Sequence, residues 1–215
     1  MARIAVLGSG MVGEVLANGF LKDGYDVMRA SRQPSKLEAW KKAAGPKAQV
    51  GQFEQAADFG ELLVLAIKGT AAESVIQNCG SARLKGKTII DATNPIADEP
   101  PNNGVLRFFT GPNDSLMERL QRLAPKANFV KAFNSIGHAH MVNPQFGSTK
   151  PTMFICGNSN VSKNTVREVL LKWGWDVEDM GLVESARAIE PLCQLWCIPG
   201  FTKNQWNHAF KLLRG

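Results

Sequence analysis

Three glycines, Gly8, Gly10 and Gly13, stand directly after the apolar run Arg3-Ile4-Ala5-Val6-Leu7 and before a stretch of helical spacing, Glu14 to Lys22. A second strand-forming run, Tyr25 to Ala30, follows Asp23-Gly24. Strand, G-x-G-x-x-G, helix and strand in this order predict a βαβ unit that holds a dinucleotide. Each glycine has its own task. Gly8 lets the chain turn tightly out of the strand. Gly10, without a Cβ, lets a diphosphate approach the backbone. Gly13 lets the helix pack close to the strands. Free N–H groups at the helix start, together with the aligned peptide dipoles, would then hold the negative charge.

The end of the second strand indicates which dinucleotide. A site for NAD(H) usually carries Asp or Glu here, bonding the ribose 2′-hydroxyl. This chain has Ala30-Ser31-Arg32, with Lys36 one helical turn on. Ser31 can donate a hydrogen bond, Arg32 offers a planar fork of donors and Lys36 a point charge. These residues suit a 2′-phosphate, and NADP(H) is expected over NAD(H).

Apolar strand-like runs alternate with helical ones to the end of the chain, predicting an α/β fold of Rossmann type with a doubly wound, mostly parallel sheet. The expected strands are Arg3–Leu7, Tyr25–Ala30, Gln49–Gly51, Glu61–Ile67, Lys87–Ala92 and Phe129–Phe133. Thr93 to Asn113 is rich in Pro and Gly and lacks periodicity, as a binding loop or lid would. Ser115-x-x-Glu118 then fits a capping box. A further strand–helix–strand unit follows from Thr152 to Met180, and a helical segment begins near Glu184. The chain is divided at a turn-rich stretch into an NADP-binding domain, 1–147, and a small C-terminal α/β unit, 148–215.

Ligands of such sheets lie beyond the carboxyl ends of the strands. Those ends carry Gly8-Ser9-Gly10, Ser31-Arg32, Ile67-Lys68-Gly69, Thr93-Asn94-Pro95 and Asn134-Ser135, and would outline one groove. The nicotinamide half would cross Ile67 and Asn94 toward Asn134. Hydride transfer to a flavin-like ring needs orientation and exclusion of water rather than acid–base machinery, whereas a carbonyl substrate would also need a proton donor, for which His138 and His140 are the candidates; no catalytic residue is assigned. Asn134 and His138 are candidates for lining the acceptor pocket. His138-x-His140 has no third ligand in sequence, and no metal is expected.

The net charge of +6 concentrates between Lys22 and Lys47, beside the phosphate pocket. No basic–aromatic run accompanies it, so a polyanionic cofactor accounts for it without nucleic acid. No apolar run reaches the length of a membrane span, and the first strand begins at once, without a signal peptide. A cytoplasmic protein is expected. Cys79, Cys156, Cys193 and Cys197 lack metal-site spacing and are expected to be buried free thiols.

The glycine loop, Ser31-Arg32, Lys131-Ala132-Phe133-Asn134 and Ser185-Ala186-Arg187-Ala188-Ile189-Glu190-Pro191, taken in order, resemble the NADP-dependent coenzyme F-420 reductases and their bacterial relatives. The likeness extends to the cytoplasmic oxidoreductase part of the STEAP metalloreductases and covers essentially the whole chain. It implies hydride exchange between NADPH and a small-molecule acceptor, a flavin or deazaflavin. It places Ser9, Gly10, Met11 and Val12 at the diphosphate, and Ser31, Arg32 and Lys36 at the 2′-phosphate. Ile67 and Asn94 would lie along the cofactor, Ala132, Phe133 and Asn134 near the nicotinamide, and the C-terminal unit would close the acceptor pocket. His138 replaces an expected small residue, so a different acceptor cavity is expected. Two other readings stand beside this one: an NADP-dependent dehydrogenase or reductase of a small hydroxy acid or imine, and a non-enzymatic NADP(H)-sensing module. Leu192, Leu195, Trp196, Phe210 and Leu213 are too apolar for a free tail. They would fill a core or join two copies in a homodimer through the C-terminal helices.

Overall fold

The computed structural model describes residues 3–215; Met1 and Ala2, the first two residues of the glycine-bearing stretch, lie outside the described residues. Six parallel strands form a sheet in the order β3-β2-β1-β4-β5-β6. They are β1 (Arg3–Leu7), β2 (Asp26–Ala30), β3 (Ala48–Gly51), β4 (Leu62–Leu65), β5 (Thr88–Asp91) and β6 (Asn128–Lys131). The sixth strand stops at Lys131 rather than at Phe133. The reason is local: Phe133 has φ +63, a left-handed conformation that turns the chain out of the sheet.

Alternate strand residues face opposite sides of the sheet. Ala5, Leu7, Leu63, Leu65 and Ile89 pack with α3 (Phe53–Phe59), α4 (Ala72–Cys79), the short α5 (Ser81–Leu84) and α6 (Leu116–Leu123). Ile4, Val6, Val27, Val64 and Ile90 pack with α1 (Met11–Lys22), α2 (Glu38–Ala44) and α7 (Asn160–Lys172). Both faces are covered, so the strands read as nearly unbroken apolar runs.

A second parallel sheet pairs β7 (Thr152–Ile155) with β8 (Asp176–Asp179). One antiparallel bridge, Lys131 to Cys156, joins it to the large sheet. After α7, Trp173 and Trp175 enter the core that also holds Phe20 and Phe133. The Trp173 ring lies 4.8 Å from that of Phe20. Gly19 on α1 permits this approach, since a Cβ there would stand 2.9 Å from the Trp173 ring. The chain turns at Gly147 (φ +61), at the expected division, and the residues beyond it share the core of the large sheet.

Two further helices, α8 (Ala186–Ile189) and α9 (Pro191–Lys203), end at Asn204, whose φ of +52 is left-handed. Residues 204–215 then return without regular structure. The carbonyl of Phe210 accepts the Thr152 N–H at 2.9 Å, and the Leu212 N–H donates to the Thr152 hydroxyl at 3.1 Å. Trp196 is buried, its indole N–H donating to the His208 carbonyl at 2.9 Å, whereas Leu195 and Leu213 are exposed.

Asp91 and Lys131, the last residues of β5 and β6, are register partners. The Lys131 ammonium is fully buried, 2.7 Å from Asp91 Oδ2 and 2.8 Å from Glu190 Oε1, and it donates to the Thr93 carbonyl at 3.0 Å. Glu190, at the junction of α8 and α9, also accepts the Leu116 and Met117 N–H groups at 3.0 Å each, the free donors at the start of α6. Desolvation alone would lower the Lys131 pKa; the two carboxylates outweigh it and hold the pKa above its ordinary value. One charge cluster thus fastens the C-terminal helices to the ends of two strands. Lys131→Met would strand two buried carboxylates, with an expected loss of about 3–5 kcal/mol in urea denaturation. A loss within about 1 kcal/mol would deny the cluster this role.

Helix α6 begins at Ser115, whose hydroxyl oxygen accepts the Glu118 N–H at 3.2 Å. The Glu118 carboxylate does not close the capping box onto the backbone. It accepts a hydrogen bond from the Ser115 hydroxyl at 2.7 Å and a two-pronged bond from Arg187 at 2.6 and 3.0 Å. The Arg187 bond holds its pKa below the ordinary 4.5. A depressed carboxyl pKa contributes stability above the ordinary value and loses it as pH falls through the folded value. Glu118→Gln is therefore expected to flatten the pH dependence of unfolding in the acid range, read as melting temperature against pH; an unchanged slope would count against this pairing.

Candidate functional site

A cleft of about 740 Å³ opens beyond the carboxyl ends of β1, β2 and β4. The strand order reverses between β1 and β4, the place where open parallel sheets take ligands. One wall is the turn Gly8 to Val12. Another is Ser31, Arg32 and Lys36, following β2; Ile67, Lys68 and Ala92 form the far side, with His138 at the inner end.

The three glycines differ physically. A Cβ on Gly8 would lie 2.1 Å from the Ala66 carbonyl oxygen, so the turn requires its absence. A Cβ on Gly13 would lie 2.8 Å from the Gly8 carbonyl oxygen. A Cβ on Gly10 would meet nothing within 4 Å, which leaves the backbone bare on the cleft side. Gly10 is the N-cap of α1, and no side chain caps it. The first N–H groups of the helix have no intrahelical acceptor and stand free for an anion. This bare, uncapped helix start fits the diphosphate of a dinucleotide.

The rim after β2 is cationic. Arg32 and Lys36 are exposed and enter no ion pair among the described residues. The Ser31 hydroxyl oxygen accepts the Gln33 N–H at 3.2 Å and fixes the turn. Among the described residues, no carboxylate lines the cleft. That arrangement suits a 2′-phosphate and lacks the group that would bond a 2′-hydroxyl. Lys68 differs from the other two cations, since it pairs with Asp98.

Other expected site residues do not reach the cleft wall. Gly13 lies beneath the turn. Ala132 and Phe133, expected beside the nicotinamide, are instead buried in the core, 0% and 1% exposed, because the left-handed turn at Phe133 points its ring toward Trp173. Pro95 is buried, and its carbonyl accepts the Phe109 N–H at 2.9 Å. Asn94 and Asn134 are brought together: Asn94 Nδ2 donates to the Asn134 carbonyl at 2.7 Å, and Asn134 Nδ2 donates to the Ile189 carbonyl at 2.9 Å. This pair ties the inner end of the groove to α8. His138 and His140 share a short 3-10 turn rather than an extended segment, so their rings diverge. His138 faces the cleft; His140 packs on Phe146 at 4.8 Å. Among the described residues, no group of three or more His, Cys, Asp or Glu could hold a metal ion. The four cysteines are free and buried, and burial pushes the Cys79 and Cys156 thiols up to about 12.

Sequence reasoning did not single out Arg29, Asp91 or Glu190 for their charges. The available signal was an ionisable residue inside or ending an apolar strand, as in Val27-Met28-Arg29-Ala30 and Ile89-Ile90-Asp91. Such residues are rarely buried without partners.

Residues 3–95 match the family described as NADP oxidoreductase, coenzyme F420-dependent. A protein of Arthrobacter sp. FB24, described as a candidate F420-dependent NADP reductase, is 29% identical with a TM-score of 0.92 over the whole of both chains. The metalloreductase STEAP3 of Rattus norvegicus is 32% identical over 206 residues, 92% of this chain and 38% of that protein. The chain therefore spans well under half the length of this curated relative. The reductive aminase of Aspergillus terreus, solved with NADPH and ethyl levulinate, shares 18% identity and a TM-score of 0.67, covering 95% of this chain and 63% of its own; that likeness shows the fold alone.

Gly10→Val is expected to leave the melting temperature unchanged and abolish dinucleotide binding in a calorimetric titration, since its side chain would project into open cleft. Gly8→Ala, set against the Ala66 backbone, is expected to destabilise the fold. Normal binding by the Gly10 variant would place the diphosphate elsewhere.

Proposed function

We propose that this chain, whose residues 3–95 match the coenzyme F420-dependent NADP oxidoreductases, moves hydride between NADPH and a flavin or deazaflavin. The observation that carries the choice of cofactor form is the rim after β2, with two unpaired cations and no carboxylate. NADPH, when bound, supplies the hydride. The N–H groups of Met11 and Val12 would hold the diphosphate, and Ser31, Arg32 and Lys36 the 2′-phosphate. Ile67 and Ala92 give the inner part an apolar wall that excludes water. The half-buried His138 imidazole bounds the place where the acceptor would meet the nicotinamide. A planar acceptor that takes hydride directly needs placement from the protein rather than a buried acid, and the cleft supplies none. Buried free thiols are consistent with a reducing setting and support a cytoplasmic location.

The test is to mix the protein with NADPH and, separately, F420, FMN, FAD, a ferric chelate and a cyclic imine, following the nicotinamide absorbance. Oxidation driven by the deazaflavin or a flavin supports the proposal. Turnover of the imine alone would make it a carbon–nitrogen reductase, and tight binding without any turnover would make it a sensor of NADP(H). Arg32→Ala is expected to weaken NADPH by about tenfold to a hundredfold while leaving NADH nearly unaffected. Equal losses for both would refute the role given to Arg32.

A further inference from the structure

Below the cleft lies a charged group that lines no part of it. The Arg29 guanidinium is completely buried. Its Nη2 donates to the Gly10 carbonyl and its Nη1 to Glu14 Oε2, each at 3.1 Å. Its Cζ lies 4.8 Å from the centroid of the Trp40 ring, and Trp40 is fixed by an indole N–H bond to Asn18 Oδ1 at 2.8 Å. Its Nε has no hydrogen-bond partner.

Glu14 poses the problem that Arg29 answers. It sits in the first turn of α1, the helix whose free N–H groups face the cleft. A carboxylate there is favourable to the isolated helix, because it meets the positive end of the dipole. For an incoming diphosphate it is a competitor for the same end and a source of repulsion. Nothing else in an ion pair touches Glu14 among the described residues.

We propose that Arg29 is a positioning residue for the diphosphate. It draws the Glu14 carboxylate away from the mouth of the helix and cancels its charge. With its other nitrogen it holds the Gly10 carbonyl, which also accepts the Glu14 N–H at 3.0 Å, so that the N–H groups that follow remain turned toward the cleft. The fork of a guanidinium serves both acceptors at once, which an ammonium on a flexible stem does less well. The inference rests on the reading of the cleft as a dinucleotide site.

The experiment is a double-variant cycle on the full chain, with NADPH affinity from titration and melting temperature measured side by side. Arg29→Met is expected to weaken NADPH by about tenfold or more, because it frees the Glu14 charge beside the phosphates. Glu14→Gln alone is expected to stay within about threefold of the parent. Glu14→Gln combined with Arg29→Met is expected to regain much of the lost affinity even where the melting temperature stays low. Arg29→Lys, keeping the charge without the fork, supplies the same cycle if the methionine variant does not fold, with a smaller loss. A purely structural arginine would lower stability with no rescue of affinity by Glu14→Gln. That result, or unchanged affinity in Arg29→Met, overturns the proposal. If the unaltered chain fails to bind NADPH, the dinucleotide reading falls, and this inference with it.

Discussion

A lysine ammonium without any contact with water holds this fold in register. Removing Lys131, Asp91 and Glu190 from solvent is costly, and their charges sum to an excess of one negative. The arrangement is stable because every element nearby contributes: Thr93 donates to Asp91, and the uncapped start of α6 donates twice to Glu190. Two strand ends, a helix start and the α8–α9 junction converge on one point. Asn134 and Asn94 extend that junction toward the cleft through the Ile189 carbonyl. The inner end of the site thus takes its shape from a charge cluster that no ligand would touch.

At the outer end the design is one of omission. The proposed diphosphate position is distinguished by a missing Cβ at Gly10, a missing side-chain cap on α1 and, among the described residues, a missing carboxylate after β2. The cations that remain are divided by depth. Arg32 and Lys36 lie exposed at the rim, where water screens them and where they can meet a partner. Arg29 lies underneath, where burial pushes its pKa down against the opposing pull of Glu14.

These two halves explain what the amino-acid order revealed and what it concealed. The glycine turn and the cationic rim were legible because each is local: a dozen consecutive residues contain strand, turn and helix start. The parallel, doubly wound character of the sheet followed from the alternation of apolar and helical runs. The charge cluster joins residues 40 to 99 positions apart, and no periodicity links them. Lys131 and Glu190 lie in two of the four segments on which the family likeness rests, yet their neighbours Ala132 and Phe133 were expected at the cofactor. What those segments encode is a buried network and a left-handed turn. Asn94 and Asn134 were placed at the groove by their position at the carboxyl ends of strands, and their bond to each other needed coordinates.

The returning tail also has a bearing on how the molecule behaves in a crowd. Strand β7 has β8 on one side, and its other side would be open to any extended segment. Instead its far end is bridged to Lys131, and its beginning is occupied by the backbone of Phe210 and the N–H of Leu212. Two stretches of the same chain, distant in sequence, shield one short border from both ends. That border of the smaller sheet is thereby denied to strangers as a template for aggregation.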